Sequence, residues 1–240
     1  MVVWLVGGFV VAVGVGIGAW YPNTHVSKDS ALGSSAASGP MGSHSALSTT
    51  TSPPSTTTTT TTTDPGRLPQ TAAFPSADTV QFRSEMQALF QGVVTDSMQT
   101  SLPAYFPESA YLQLKTIVNP KSDYVNRLLG YFDLDLGAAH ALLGVDATTA
   151  QFVQVDVPSQ YGHWIPPGIC ENRVGYFEVP NARIVYEEDN QVRSFGIASM
   201  ISWRGVWYVA HFGAILRSED RGAVDNPTDG PGTPEPSSTC

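Results

Sequence analysis

Residues 192–217 read VRSFGIASMISWRGVWYVAHFGAILR, and the way this stretch pairs with itself decides the architecture around it. Apolar and aromatic side chains alternate on both sides of Arg204-Gly205, the pattern of two strands joined by a tight turn. With a two-residue turn, Trp203 faces Val206, Ile201 faces Tyr208, Ser199 faces Ala210, Ile197 faces Phe212 and Phe195 faces Ala214. That face is bulky. The other sets Ser202 beside Trp207, Met200 beside Val209, Ala198 beside His211 and Gly196 beside Gly213, so small side chains surround one imidazole. Small residues on a sheet face either admit a closely packed helix or leave a concavity.

The same period of two continues upstream. Phe152, Gln154 and Asp156 alternate with Val153, Val155 and Val157, and residues 174–179 and 182–187 read as further strands. The trio Glu188-Asp189-Asn190 supplies a turn, so the last three strands form an antiparallel meander. Before Gly144 the period is helical. Asp78 with Gln81 resembles a capping box, followed by Phe82, Met86, Leu89, Phe90 and Val93 at three- and four-residue spacing. Pro107 opens a second short helix with Ala110, Tyr111, Leu114 and Ile117 on one stripe. Asn119-Pro120 starts a third through Tyr124, Leu128, Tyr131, Leu136, Ala139 and Leu142, bent or split by Gly130 or Gly137 and stopped at Gly144. Helices followed by hairpins imply an α+β class, with about three helices packed on a curved antiparallel β-meander.

The chain has 240 residues, 12 basic and 21 acidic, a formal net charge of -9 and 14% charged residues; a soluble domain carries roughly 25%. The deficit is local. Through Pro75 only Lys28, Asp29, Asp64 and Arg67 are charged, so residues 76–222 have ordinary globular composition. Three lysines and scattered arginines do not make the clustered basic surface that phosphate neutralisation needs, so no nucleic-acid partner is expected.

Residues 1–21, MVVWLVGGFVVAVGVGIGAWY, form an uncharged apolar run of about the 20 residues that span a bilayer core. Trp4 stands at one end and Trp20 and Tyr21 at the other, where indole and phenol rings favour the interface. A cleaved signal peptide is the alternative, weakened by the missing basic n-region and by the length of the run. Residues 22–75 hold eight consecutive threonines, Thr56 to Thr63, beside Ser-Pro-Pro-Ser. Such a stretch buries too little surface to offset chain entropy and reads as a disordered stalk, bare or O-glycosylated. Residues 76–222 are then an extracytoplasmic domain and 223–240 a Pro/Gly-rich tail. The implied placement is the cell membrane, single-pass, with the lipid bilayer as partner of residues 1–21.

Chemistry-bearing residues are few. His211, on an inward strand face, is the candidate acid or base, and Glu178 and Arg183 face it or not according to the length of the 188–190 turn. A one-residue slip reverses the answer. The loop YGHWIPPGIC, residues 161–170, offers Tyr161, His163 and Trp164, with Arg183 nearby, as binding surface for a glycan or peptide of the envelope. Asp133 and Asp135, with Glu187, Glu188 and Asp189, read as solvated faces and a turn. No GxSxG elbow or phosphate loop occurs, and no cofactor or metal set is expected. Cys170 and Cys240, the two cysteines, suggest a disulfide beyond the membrane.

The anchor, the Thr-rich stalk and the stretches YFPESAYLQLK, YFEVPNARIVY and ISWRGVWYVAHFGAILR resemble actinobacterial membrane-anchored envelope proteins of unassigned activity. Helices against a curled meander are similar in architecture to the NTF2-like, cystatin-like group. The resemblance implies location and fold but no catalytic residue. The expectation is a non-catalytic binding or envelope-associated module, with a His211 pocket enzyme, a hydrolase or isomerase, as the alternative.

Overall fold

The computed structural model describes residues 64–234 and 236. The expected anchor, the expected stalk up to residue 63, and Cys240 lie outside the described residues. Within them the class is α+β. Helices α1 (Val80–Thr95), α2 (Met98–Ser101), α3 (Glu108–Leu114), α4 (Pro120–Asp123) and α5 (Gly130–Leu143) precede an antiparallel sheet of β1 (Gln151–Asp156), β2 (His163–Ile165), β3 (Tyr176–Glu188), β4 (Gln191–Trp203), β5 (Val206–His211) and β6 (Asp225–Asp229). The sheet runs β1-β3-β4-β5, with β2 also on β3 and β6 also on β4.

Local chemistry sets the helix ends. Helix α1 starts one residue later than the capping-box reading: Thr79 is the N-cap and its side chain accepts from the Phe82 amide at 3.1 Å, while Gln81 donates to Glu85 instead. Asn119 and Pro120 open the third helix as expected. It passes through a π-helical stretch, Tyr124–Leu129, before Gly130 and ends on Gly144 at φ 67°, where a side chain would be strained. By composition residues Pro120–Thr149 are long and apolar enough to cross a membrane, but Phe132, Leu136, Ala139 and Leu143 are buried in the domain core.

Helices cover one face of the sheet. Phe90 of α1 packs on Phe152 and Tyr186, Phe106 meets Trp203 and Tyr208 edge-on, and Phe132 of α5 meets Phe212. The strand partners Phe152, Tyr186, Trp203 and Tyr208 come one each from β1, β3, β4 and β5.

Four expectations are corrected. Residues 174–179 and 182–187 are not separate strands; from Tyr176 onward both belong to β3, which continues through Asn181 at φ 51°, a left-handed conformation that asparagine tolerates. The aromatic loop contains β2, which pairs His163 with Glu178 and Trp164 with Phe177. The last expected strand ends at His211, and β6 forms from the presumed tail, pairing Arg193 with Asp229 and Gly196 with Asp225. The presumed end of the stalk is packed: Pro65 carbonyl accepts from the Trp203 indole, Gln70 bonds Ser202 and Arg204, and Phe74 meets Phe177 and Trp207.

That last finding answers what covers the small-residue face. It is neither a helix nor an open concavity around an imidazole. Phe74 lies on Trp207, and a Cβ at Gly196 would come within 1.9 Å of the Asp225 carboxylate, so glycine there admits the strand β6.

Candidate functional site

The hairpin register holds from Trp203–Val206 to Met200–Val209 and then slips, so that Ser199 pairs with His211 and Ala210 becomes the extra residue of a bulge. Because side chains alternate, one extra residue turns His211 onto the opposite face. The imidazole thus joins Ser199 and Ile201 rather than Ala198 and Met200. Glu178, paired with Ile201, stands on the same face, and Arg183, paired with Gly196, on the other. The bulge is held from outside the hairpin: Phe106 amide donates to the Val209 carbonyl at 2.9 Å, and the Tyr105 hydroxyl lies 3.2 Å from the Ala210 carbonyl.

A cavity of about 260 Å³ opens on this face. Its apolar walls include Leu114, Leu128, Ile201 and Ile215, and its polar groups are His211, Ser199, Glu178, Glu171, Lys115 and Arg127. Ser199 donates to Glu178 Oε1 at 2.7 Å, and both are buried. No described residue hydrogen-bonds the ring of His211, which is half-buried. Burial first, and then the positive charges of Arg127, Lys115 and Arg217, push its pKa down to about 4, against a smaller upward pull from Asp123. The ring is neutral at pH 7.

The cationic side of the cavity is built on helical spacing. Arg127 donates through Nε and Nη2 to Asp123 at 2.7 and 2.6 Å, and the Tyr111 hydroxyl donates to the same carboxylate. This arginine holds Asp123 below the ordinary carboxylate range. Lys115 donates to the Cys170 carbonyl at 2.7 Å; burial, then Arg127, lowers its pKa. Tyr176 is pushed up to about 12, chiefly by burial, so its phenol stays protonated.

Asp135 fixes the lip of the cavity. Expected on a solvated face, it is 1% exposed and accepts four hydrogen bonds, from the Gly213 and Ala223 amides and from both terminal nitrogens of Arg217. The loop carrying Ile215 is thereby tied to α5. Glu188 likewise is buried rather than a solvated turn residue and pairs with Arg193 at 2.5 Å. Burial raises its pKa.

The other expected site residues do not converge. Arg183 is buried on the far face, donating to the Asn226 carbonyl and Ser194 hydroxyl. Trp164 is 38% exposed and stacks edge-on against Phe177; among the described residues no ring contact joins it to Tyr161. His163 donates from Nδ1 to the Tyr161 carbonyl at 3.0 Å on the surface. Cys170 lines the cavity and is a disulfide cysteine; Cys240, its expected partner, lies outside the described residues. Among the described residues no cluster of metal-ligating side chains occurs.

Sequence reasoning singled out His211 and Glu178 but missed Ser199, Lys115, Arg127, Asp123 and Tyr111. The one available signal was spacing, since Tyr111/Lys115 and Asp123/Arg127 each lie four apart and so share a helix face. The chain matches no protein-family model, no curated protein and no solved structure.

Proposed function

We propose that this chain is a membrane-tethered extracytoplasmic protein whose α+β domain binds a small ligand, without catalysis, in the cavity beside His211. The observation that carries the reading is the cavity itself: a neutral imidazole without a hydrogen-bond partner among the described residues, set between apolar walls and a few polar groups, has the makings of a ligand site. The Ser199 hydroxyl donates its hydrogen bond to Glu178 and not to His211, so the serine and histidine do not form a nucleophile–base pair. Ligand-observed NMR with small apolar probes tests this. Binding is expected in the native chain and its loss in Ile201→Trp, which fills the cavity; equal binding by both sinks the reading.

The uncharged run 1–21 and the threonine tract support the anchor and the extracytoplasmic side, and with them an actinobacterial envelope setting. A single layer of helices over one sheet face, with a cavity between the layers, supports the NTF2-like, cystatin-like architecture. Protease shaving of intact cells is expected to release the domain, and a protected domain would overturn the topology. Cys170 with Cys240 is proposed as an intrachain disulfide. A second reading, an acid–base enzyme, is favoured by one observation: His211 remains a free base at neutral pH in a cavity that also holds Glu178. Recovery of a bound compound chemically altered, with the alteration lost in His211→Gln, would select it.

A further inference from the structure

We infer that the ligand of this cavity is a neutral apolar molecule bearing a hydroxyl group, which hydrogen-bonds the ring of His211. The inference rests on the proposal that the cavity is a binding site and adds the chemical class of what fills it.

Both cations facing the cavity already have hydrogen-bond acceptors. Arg127 is paired with Asp123 through two nitrogens, and Lys115 donates a hydrogen bond to the Cys170 carbonyl. Against these two cations the walls carry Glu171 and Glu178, and Asp123 stands behind Arg127. Arg217, on the lip, is bound to Asp135. Two cations thus stand against three carboxylates, so no spare positive charge is left to compensate an anion. A carboxylate would be desolvated beside Glu178 and Glu171, and an ammonium, although those carboxylates attract it, would also face Lys115 and Arg127; an uncharged group avoids the desolvation cost of either ion.

The ring of His211 narrows the choice. A neutral imidazole carries one N–H and one lone pair, and here neither has a partner among the described residues. A hydroxyl both donates and accepts, so it satisfies whichever nitrogen faces it. A carboxylate only accepts and an ammonium only donates. The body of the ligand is apolar because Leu114, Leu128, Ile201 and Ile215 stand among the walls, and it is small because about 260 Å³ is available, just under the usual range for drug-sized molecules.

Three probes with one body separate the possibilities: hexan-1-ol, hexanoate and hexylamine, titrated at pH 7 into the full chain, with the histidine rings followed by NMR and the His211 signal assigned by its loss in His211→Phe. Hexan-1-ol is expected to shift the His211 resonances saturably, with hexanoate and hexylamine at least about tenfold weaker. The Phe variant, followed through the neighbouring Ile201 methyl, is expected to bind hexan-1-ol about fivefold more weakly, the loss of one hydrogen bond. Hexanoate or hexylamine binding as tightly as the alcohol would overturn the hydroxyl assignment and leave the cavity reading standing. Failure of all three to move the His211 signals would overturn the cavity reading, and this inference with it.

Discussion

His211 owes its state to its neighbours rather than to its strand. Burial and the Arg127, Lys115 and Arg217 charges keep the ring neutral in the fold, whereas the unfolded chain protonates near pH 6.5. The folded pKa is the lower one, so the ring's contribution to stability is complete above pH 6.5 and is lost as pH falls from there toward 4. His211→Phe should flatten that part of the stability profile relative to the native chain in urea unfolding at stepped pH; an unchanged difference between the two across pH 4 to 7 would contradict it. Asp135 is the other decisive residue. Replacing it by asparagine leaves Arg217 buried against a neutral group and weakens the tie to Gly213 and Ala223. A loss of about 3 kcal/mol is expected in the same experiment, and a loss below about 1 would show that the lip is held by something else.

Among the elements, the hairpin was legible and its defect was not. Arg204-Gly205 and the period of two located β4 and β5, and Trp203 does face Val206. The bulge at Ala210 escaped because nothing within the hairpin specifies it: its partners, Tyr105 and Phe106, come from the segment after α2. These non-local contacts hold the bulge that turns the imidazole to the face of Ser199 and Ile201. Strand β2 has three residues and β6 reads DNPTD, too short or too polar for periodicity to show; each exists because a longer strand offers it an edge. Helix positions fared better, since apolar spacing is a local property, although the cap of α1 moved from Asp78 to Thr79. Thr79→Ala should cost about 1 kcal/mol in thermal or urea unfolding, while Asp78→Ala should leave stability within about 0.5 kcal/mol.

Across the whole molecule, the sequence separates an uncharged leader from a charged domain, and the structure shifts the edge of that domain at both ends. Residues 64–75 carry Pro65, Gln70 and Phe74 onto Trp203, Ser202 and Trp207, and residues 225–229 add a strand beyond the expected tail. A chain starting at Ser76 should unfold at least about 5 °C below one starting at Asp64 in calorimetry; equal midpoints would make the segment decorative. Central to the proposed site is a cavity beside the sheet in which His211 stays uncharged. The pH titration of the His211 ring by NMR in the ligand-free chain tests that most directly: a midpoint near 4 is predicted, and a midpoint near 6.5 would mean a solvated ring and would contradict the account.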